Sequence, residues 1–231
     1  MTYELVNVKD FKEITGIHIT TNHTAKMEGF WSLSTSCLVN PFCIKMQSSD
    51  DPTVICTKCY AGAMAKRYSN LNKALEKNAE ILTSELLEVY PRITVLNFRF
   101  EAFGDLINVT QAINYLNIAY ANPRVGFGIW TKRPDILAKA IEEVGKPSNL
   151  EIQLSSVHVN KVADASKWDF VDRVFTVYDA DYAVDKGVVI NCGGANCSAC
   201  AKCYTDNQIK EISEMIKSQL KKYEKAIGGE M

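Results

Sequence analysis

The chain has 231 residues, 47% of them hydrophobic, which suits one well-cored domain over residues 1–231. A formal net charge of −1 supplies no electrostatic drive toward nucleic acid or a membrane surface, so neither is expected as a partner. No run approaches 18 apolar residues, so no transmembrane helix is expected; residues 1–10 lack the basic region and apolar run of a secretory signal.

The first strand is expected at residues 30–33, Phe-Trp-Ser-Leu. A long helix follows over 61–89, with Leu71, Leu75, Asn78, Leu82, Leu86 and Val89 on its inner face. Residues 93–98 are apolar and β-branched, as buried strands are. Val109, Ile113, Leu116 and Tyr120 then recur at helical spacing. A strand at 125–130 precedes a helix opened by Pro134 and carrying Ile136, Leu137, Ala140, Ile141 and Val144. Strands are read at 150–154, 173–177 and 187–190. An amphipathic helix with Ile209, Ile212, Ile216, Leu220 and Tyr223 ends the chain, and Thr205 with Gln208 fits a capping box at its start. Strands alternating with helices imply an α/β fold with a mostly parallel sheet, either open or a partial barrel. In both, loops at the C-terminal ends of the strands form the site.

All eight cysteines fall in two loops expected after strands. The first loop, about 37–60, carries Cys37, Cys43, Cys56 and Cys59; the second, about 192–203, carries Cys192, Cys197, Cys200 and Cys203. A chain of this length needs no disulfides to fold, and in a reducing cytoplasm closely spaced thiols are metal ligands or redox groups. C-x2-C brings two thiolates to one metal from a single turn. Cys197, Cys200 and Cys203 extend that spacing to three sulfurs, with Cys192 as a fourth, as in the ferredoxin run around a [4Fe-4S] cluster. Gly193 and Gly194 let the backbone bend close to such a cluster. Zinc on four thiolates is the alternative.

Glu101 and Asp105 follow a strand and could bind a cofactor's amine or hydroxyls or act as acid and base; Asp105 could equally cap the next helix. Lys132 and Arg133 could hold a carboxylate or phosphate, or form a solvated turn. Ser155 and Ser156 end the next strand, and Tyr178 and Asp179 the one after. His18, His23 and His158 show no ligand spacing and read as ordinary polar side chains.

Taken in order, Cys56-x-x-Cys59-Tyr-Ala, Gly104-Asp105, Trp130-Thr-Lys-Arg133, Leu154-Ser-Ser156 and the late cysteine run resemble the phage "gene product eighty-eight" family, over roughly residues 30–205. Its members are small iron–sulfur proteins of phages and prophages with radical S-adenosylmethionine character. The resemblance implies a partial (βα)6 barrel, radical-SAM-like, with a C-terminal helix, in the cytoplasm of a bacterial host. It implies a cluster on Cys43, Cys56 and Cys59 with one iron open to S-adenosylmethionine. Gly104 and Asp105 then fall in the stretch that binds the cofactor's amino group, with Glu101, Lys132 and Ser155 on the same rim. Those enzymes carry C-x3-C-x2-C, whereas here the spacing is Cys43-x12-Cys56-x2-Cys59.

Two functions follow as expectations. One is an iron–sulfur protein with one or two clusters and S-adenosylmethionine-dependent radical chemistry on a small-molecule substrate. With two clusters, the late cysteines hold a closed auxiliary one; with one, both loops contribute from a shared rim, and Cys37 lies outside the coordination sphere. The other is a non-catalytic four-cysteine iron–sulfur or zinc module that senses, stabilises or binds a host protein.

Overall fold

The computed structural model describes residues 3–193, 196–205 and 207–228. In chain order its elements are β1 (Glu4–Val6), α1 (Val8–Thr15), β2 (Trp31–Leu33), α2 (Pro41–Gln47), α3 (Tyr60–Arg67), α4 (Ser69–Ser84), β3 (Val89–Pro91), β4 (Asn97–Phe100) and α5 (Val109–Ala121). Then come β5 (Gly126–Thr131), α6 (Pro134–Val144), β6 (Leu150–Ser155), β7 (Arg173–Tyr178), α7 (Ala180–Asp185), α8 (Cys197–Cys200), β8 (Glu211–Met215) and α9 (Leu220–Gly228).

Six strands lie side by side in the order β2-β4-β5-β6-β7-β8, and every pair is parallel. β1 and β3 form a separate parallel pair. Among the described residues the six-stranded sheet does not close into a barrel; its outer edges carry only the single-residue bridges Thr20↔Ser32 and Cys192↔Glu214.

Alternation along the strands sorts two faces. Phe98, Phe100, Phe127, Ile129 and Ile152 are at most 1% exposed and pack beneath the helices. Burying each such side chain contributes about 1.5–3 kcal/mol. Phe100 stacks on Phe127 at 5.2 Å and on Tyr115 of α5 at 4.4 Å. α5 is buried nearly all round, and its polar residues are answered: Asn114 donates to Leu82 and Glu85 carbonyls and accepts from the Leu87 amide. The other face carries Arg99, Gly126, Gly128, Trp130, Gln153 and Arg173, and the late cysteine loop lies across it. Tyr204 of that loop requires glycine at 128, because a Cβ there would stand 2.7 Å from its ring. The same ring packs on Phe30 at 4.7 Å and on Trp130 at 5.5 Å.

Four expectations from the sequence are corrected. The helix over 61–89 is two helices, broken at Tyr68 (φ −113°, ψ 79°) and finished at Ser84. Val89 leaves the helical stripe because the backbone of β3 pairs with β1, and Leu86 is exposed. No strand forms at 187–190: Gly187 turns the chain out of α7 with φ +61°. The sixth place in the sheet goes instead to β8, inside the stretch read as the terminal helix. The exposed backbone edge of β7 needs a partner, and five residues of β8 supply it, with Ile212 and Met215 buried. Helix therefore starts only at Leu220, and Thr205 and Gln208 cap nothing. The strand read at 93–98 is β4, displaced toward the C-terminus. Among the described residues no helix is long and apolar enough to cross a membrane.

Candidate functional site

The first cysteine group sits where β2, β4 and β5 end. The chain leaves β2 through Ser34, Thr35 and Ser36, all buried. Ser34 Oγ accepts from the Ala102 amide at 3.0 Å, and Ser36 Oγ donates to Asn72 at 2.6 Å. Asn40 then caps α2, accepting from the Phe42 and Cys43 amides at 2.9 and 3.3 Å. Cys43 is thereby fixed in the first turn of α2, and Cys59 stands at the start of α3. Cys37, Cys43 and Cys59 share a small apolar nest with Ala61, Ala65 and Phe103. The Cys37 thiol donates toward the Cys59 sulfur, which pushes Cys37 up and Cys59 down; the Ala61 and Gly62 amides lower Cys59 further. Burial raises Cys43, and Asp105 and Glu101 add to the rise. Burial also raises Cys56, against the pull of Lys132. A depression of about 640 Å³ opens beside Cys56 and Cys59, with Lys58, Tyr60 and Lys66 on its wall.

Residues expected to bind a cofactor here build the frame. Glu101 is 3% exposed and accepts from the Thr35 amide, the Thr35 hydroxyl, Gln111 Nε2 at 2.6 Å and the Tyr115 hydroxyl at 2.5 Å. Its carboxylate is spent inside the protein, and burial pushes it up to about 7 despite those donors. Gly104 is glycine because a Cβ would lie 2.5 Å from Glu101 Oε2 and 2.7 Å from the Thr35 carbonyl. Asp105 accepts from Thr131 Oγ1 at 2.5 Å and from the Leu106 and Lys132 amides at 2.8 and 3.0 Å. It ties the exit of β4 to the exit of β5 and does not cap α5; Asn108 does, accepting from the Gln111 amide. Lys132 faces Cys56, Cys59 and Asp105. Arg133 pairs with Asp135, Asp179 caps α7, and Ser155 is buried at the end of β6. His23 and His158 have hydroxyl partners in Ser32 and Thr53.

The second group is built differently. Its loop runs from Cys192, which bridges Glu214 near the end of β8, to Cys203 and Thr205 beside β6 and the start of β7. Gln153 donates to the Cys203 carbonyl at 3.0 Å, and Arg173, which opens β7, donates to the Thr205 carbonyl at 2.7 Å. Asn196 caps α8, placing Cys197 and Cys200 on one turn. Lys26 Nζ lies 3.4 Å from Cys192 Sγ and 2.7 Å from Glu214 Oε1, linking the segment before β2 to β8. Burial raises Cys192, Cys197 and Cys203, the last to about 12. Gly194 lies outside the described residues.

The thiols acting on Cys43 are Cys56 and Cys59; those acting on Cys203 are Cys192, Cys197 and Cys200. Each group thus answers to its own members, and Arg99 and Tyr204 face both Tyr60, next to Cys59, and Cys197. Among the described residues no three Cys, His, Asp or Glu side chains converge at the spacing of a single ion. The sequence reading set Cys37 apart and missed Lys26 and Arg99. For Arg99 a signal existed: it alternates with Phe98 and Phe100, and so faces away from the core.

No curated protein and no solved structure matches the chain. A family model described as Gene product 88 matches residues 11–219, and the chain belongs to that family.

Proposed function

We propose that this chain is a phage-encoded iron–sulfur protein of radical-SAM-like architecture, with one [4Fe-4S] cluster at each cysteine group, working in the cytoplasm of a bacterial host. One observation carries the reading: the eight thiols fall into two separate groups of four, each fixed by its own frame. Six parallel strands in chain order suit a (βα)6 partial barrel, and the first group follows the first of them. The donor chemistry fits, since thiolates are the usual cluster ligands and backbone amides already point at Cys59.

Cys43, Cys56 and Cys59 would hold the first cluster, and Cys192, Cys197, Cys200 and Cys203 the second. A reduced cluster supplies single electrons for the reductive cleavage of S-adenosylmethionine. The chain's own contribution at the first group is positioning: Glu101 and Asp105 hold the loops, and Lys132 presents a cation beside Cys56 and Cys59. A second reading is favoured by Cys37, whose thiol meets Cys59. As a fourth ligand it would close the first centre and make the protein a non-catalytic module.

Anaerobic purification with iron, sulfide and zinc analysis tests the metal. Equal iron and sulfide are expected, and zinc alone would overturn the reading. The reduced, fully loaded protein incubated with S-adenosylmethionine then decides between the two forms. 5′-Deoxyadenosine marks the enzyme, and its absence marks the closed centre.

A further inference from the structure

One charge on the face of the sheet crossed by the late cysteine loop joins no ion pair among the described residues. The Arg99 guanidinium lies 4.2 Å from the centre of the Trp130 ring. Its one hydrogen-bond acceptor is Met27 Sδ at 3.9 Å, and its Nε is buried without a partner. Gln153 Oε1 and the Tyr204 hydroxyl, beside the same loop, are also buried and unmatched. Arg99 is half-buried, and a cation drawn partly out of water without a counter-charge is destabilising.

Two other cations near the second cysteine group are paired, Lys26 with Glu214 and Arg173 with Glu151, while Lys202 of the loop itself donates to the Asn191 carbonyl at 3.4 Å. Arg99 is left as a surplus positive charge, and the groups it faces include Cys197, Tyr204 and Glu214. The first group has the opposite surroundings. Two buried carboxylates, Glu101 and Asp105, bear on Cys43, with Lys132 and the Asp135-paired Arg133 as facing cations. Nearby positive charge favours the reduced form of a cluster, and nearby negative charge disfavours it.

We infer that Arg99 is the counter-charge of a cluster held by Cys192, Cys197, Cys200 and Cys203, and that it sets this cluster's reduction potential above that of the cluster at Cys43, Cys56 and Cys59. This rests on the two-cluster reading proposed above. Its consequence is a direction: an electron on the reduced first cluster passes to the oxidised second, one lost and one gained, with no atom transferred. The second group is then the resting place for electrons. Arg99 is a positioning residue, acting through the field at the sulfurs.

Potentiometry of the full chain, followed by EPR under anaerobic conditions, tests this. The wild type should reduce in two steps. A Cys56→Ala/Cys59→Ala variant, which keeps only the second group, should retain the step at higher potential. Arg99→Met should move that step to lower potential and leave the other in place, while Arg99→Lys should stay close to wild type. Unchanged steps in a fully iron-loaded Arg99→Met protein overturn the inference. So does a wild type in which the first group reduces first, a result that needs no Arg99 variant to fold. A protein purified without iron overturns the two-cluster reading beneath it, whereas full iron with the reverse order overturns this inference alone.

Discussion

Cys37, Cys43 and Cys59 stand on a closed network of buried side-chain hydrogen bonds, while the loop of Cys197 to Cys203 is seated by rings and a glycine and tied by single hydrogen bonds from Gln153 and Arg173 to its backbone. In the first frame Thr35, Glu101, Gln111 and Tyr115 form one network, and Asn40, Asp105, Thr131 and Lys132 form another. Each link leaves a buried donor or acceptor unmatched if its partner is lost, so the loop after β2 is held to one geometry. In the second frame Tyr204 fills the space over Gly128 between Phe30 and Trp130, and the loop follows that ring. Packing tolerates small shifts better than a closed polar network does. The first group is therefore the more rigid site and the second the more adaptable one, and experiment can separate them.

The largest effect expected is on metal content. With two independent centres the anaerobically purified protein should carry about eight irons. Cys56→Ala/Cys59→Ala should lose about half, and Cys200→Ala/Cys203→Ala the other half, each leaving the spectrum of the remaining group intact. If either pair abolished all the iron, the groups would be one site and the comparison would fail.

Tyr204→Ala should come next. The ring is 5% exposed and rests on three side-chain or backbone surfaces, so its removal should cost about 3–5 kcal/mol in urea unfolding. Iron should leave the second group at lower urea than the first. Equal release from both would show that the ring supports the whole sheet and not this loop.

The polar frame should also be sensitive to pH where the aromatic one is not. Burial lifts Glu101 to about 7 in the folded chain, from about 4.3 when unfolded. A carboxyl whose folded value is raised adds stability that is fully present below the unfolded value and is lost as pH rises through the folded one. Between pH 4 and 7 the wild type should lose on the order of 3 kcal/mol from this group. Glu101→Gln has no such proton, so its deficit against wild type should shrink as pH rises. Urea midpoints at several pH values check this, and a constant deficit would show that Glu101 is ionised throughout.

How much of this was legible depends on range. β5, β6 and β7 read directly from their apolar runs, and α6 from its stripe and Pro134. β8 did not, because Ile209, Ile212 and Ile216 fit a helical repeat, and only the open edge of β7 decides for strand. Grouping the cysteines by sequence distance agrees with which thiols bear on one another. How the second loop lies on the sheet was not legible, because Tyr204 meets Gly128 across 76 residues of chain. Glu101 and Asp105 were found by their place after β4, yet their role depends on Thr35, Gln111, Tyr115 and Thr131, which come from other elements.

The smallest effect tests whether one link of the polar frame acts locally. Asn40 does two things at once: its oxygen caps α2 through the Phe42 and Cys43 amides, and its nitrogen donates to the Asp105 carbonyl at 2.8 Å. Asn40→Ala should lose about 1 kcal/mol for the cap and a similar amount for the stranded carbonyl, roughly 2 kcal/mol in all. Asn40→Ser can still cap but cannot reach Asp105, so it should recover about half. Because Cys43 sits in the first turn of α2, both variants should alter the signal of the first group while the second keeps its iron and its potential. A change confined to the second group would mean that the rim is not held by this cap, and that the contrast between a hydrogen-bonded and an aromatic frame does not describe how the two sites are built.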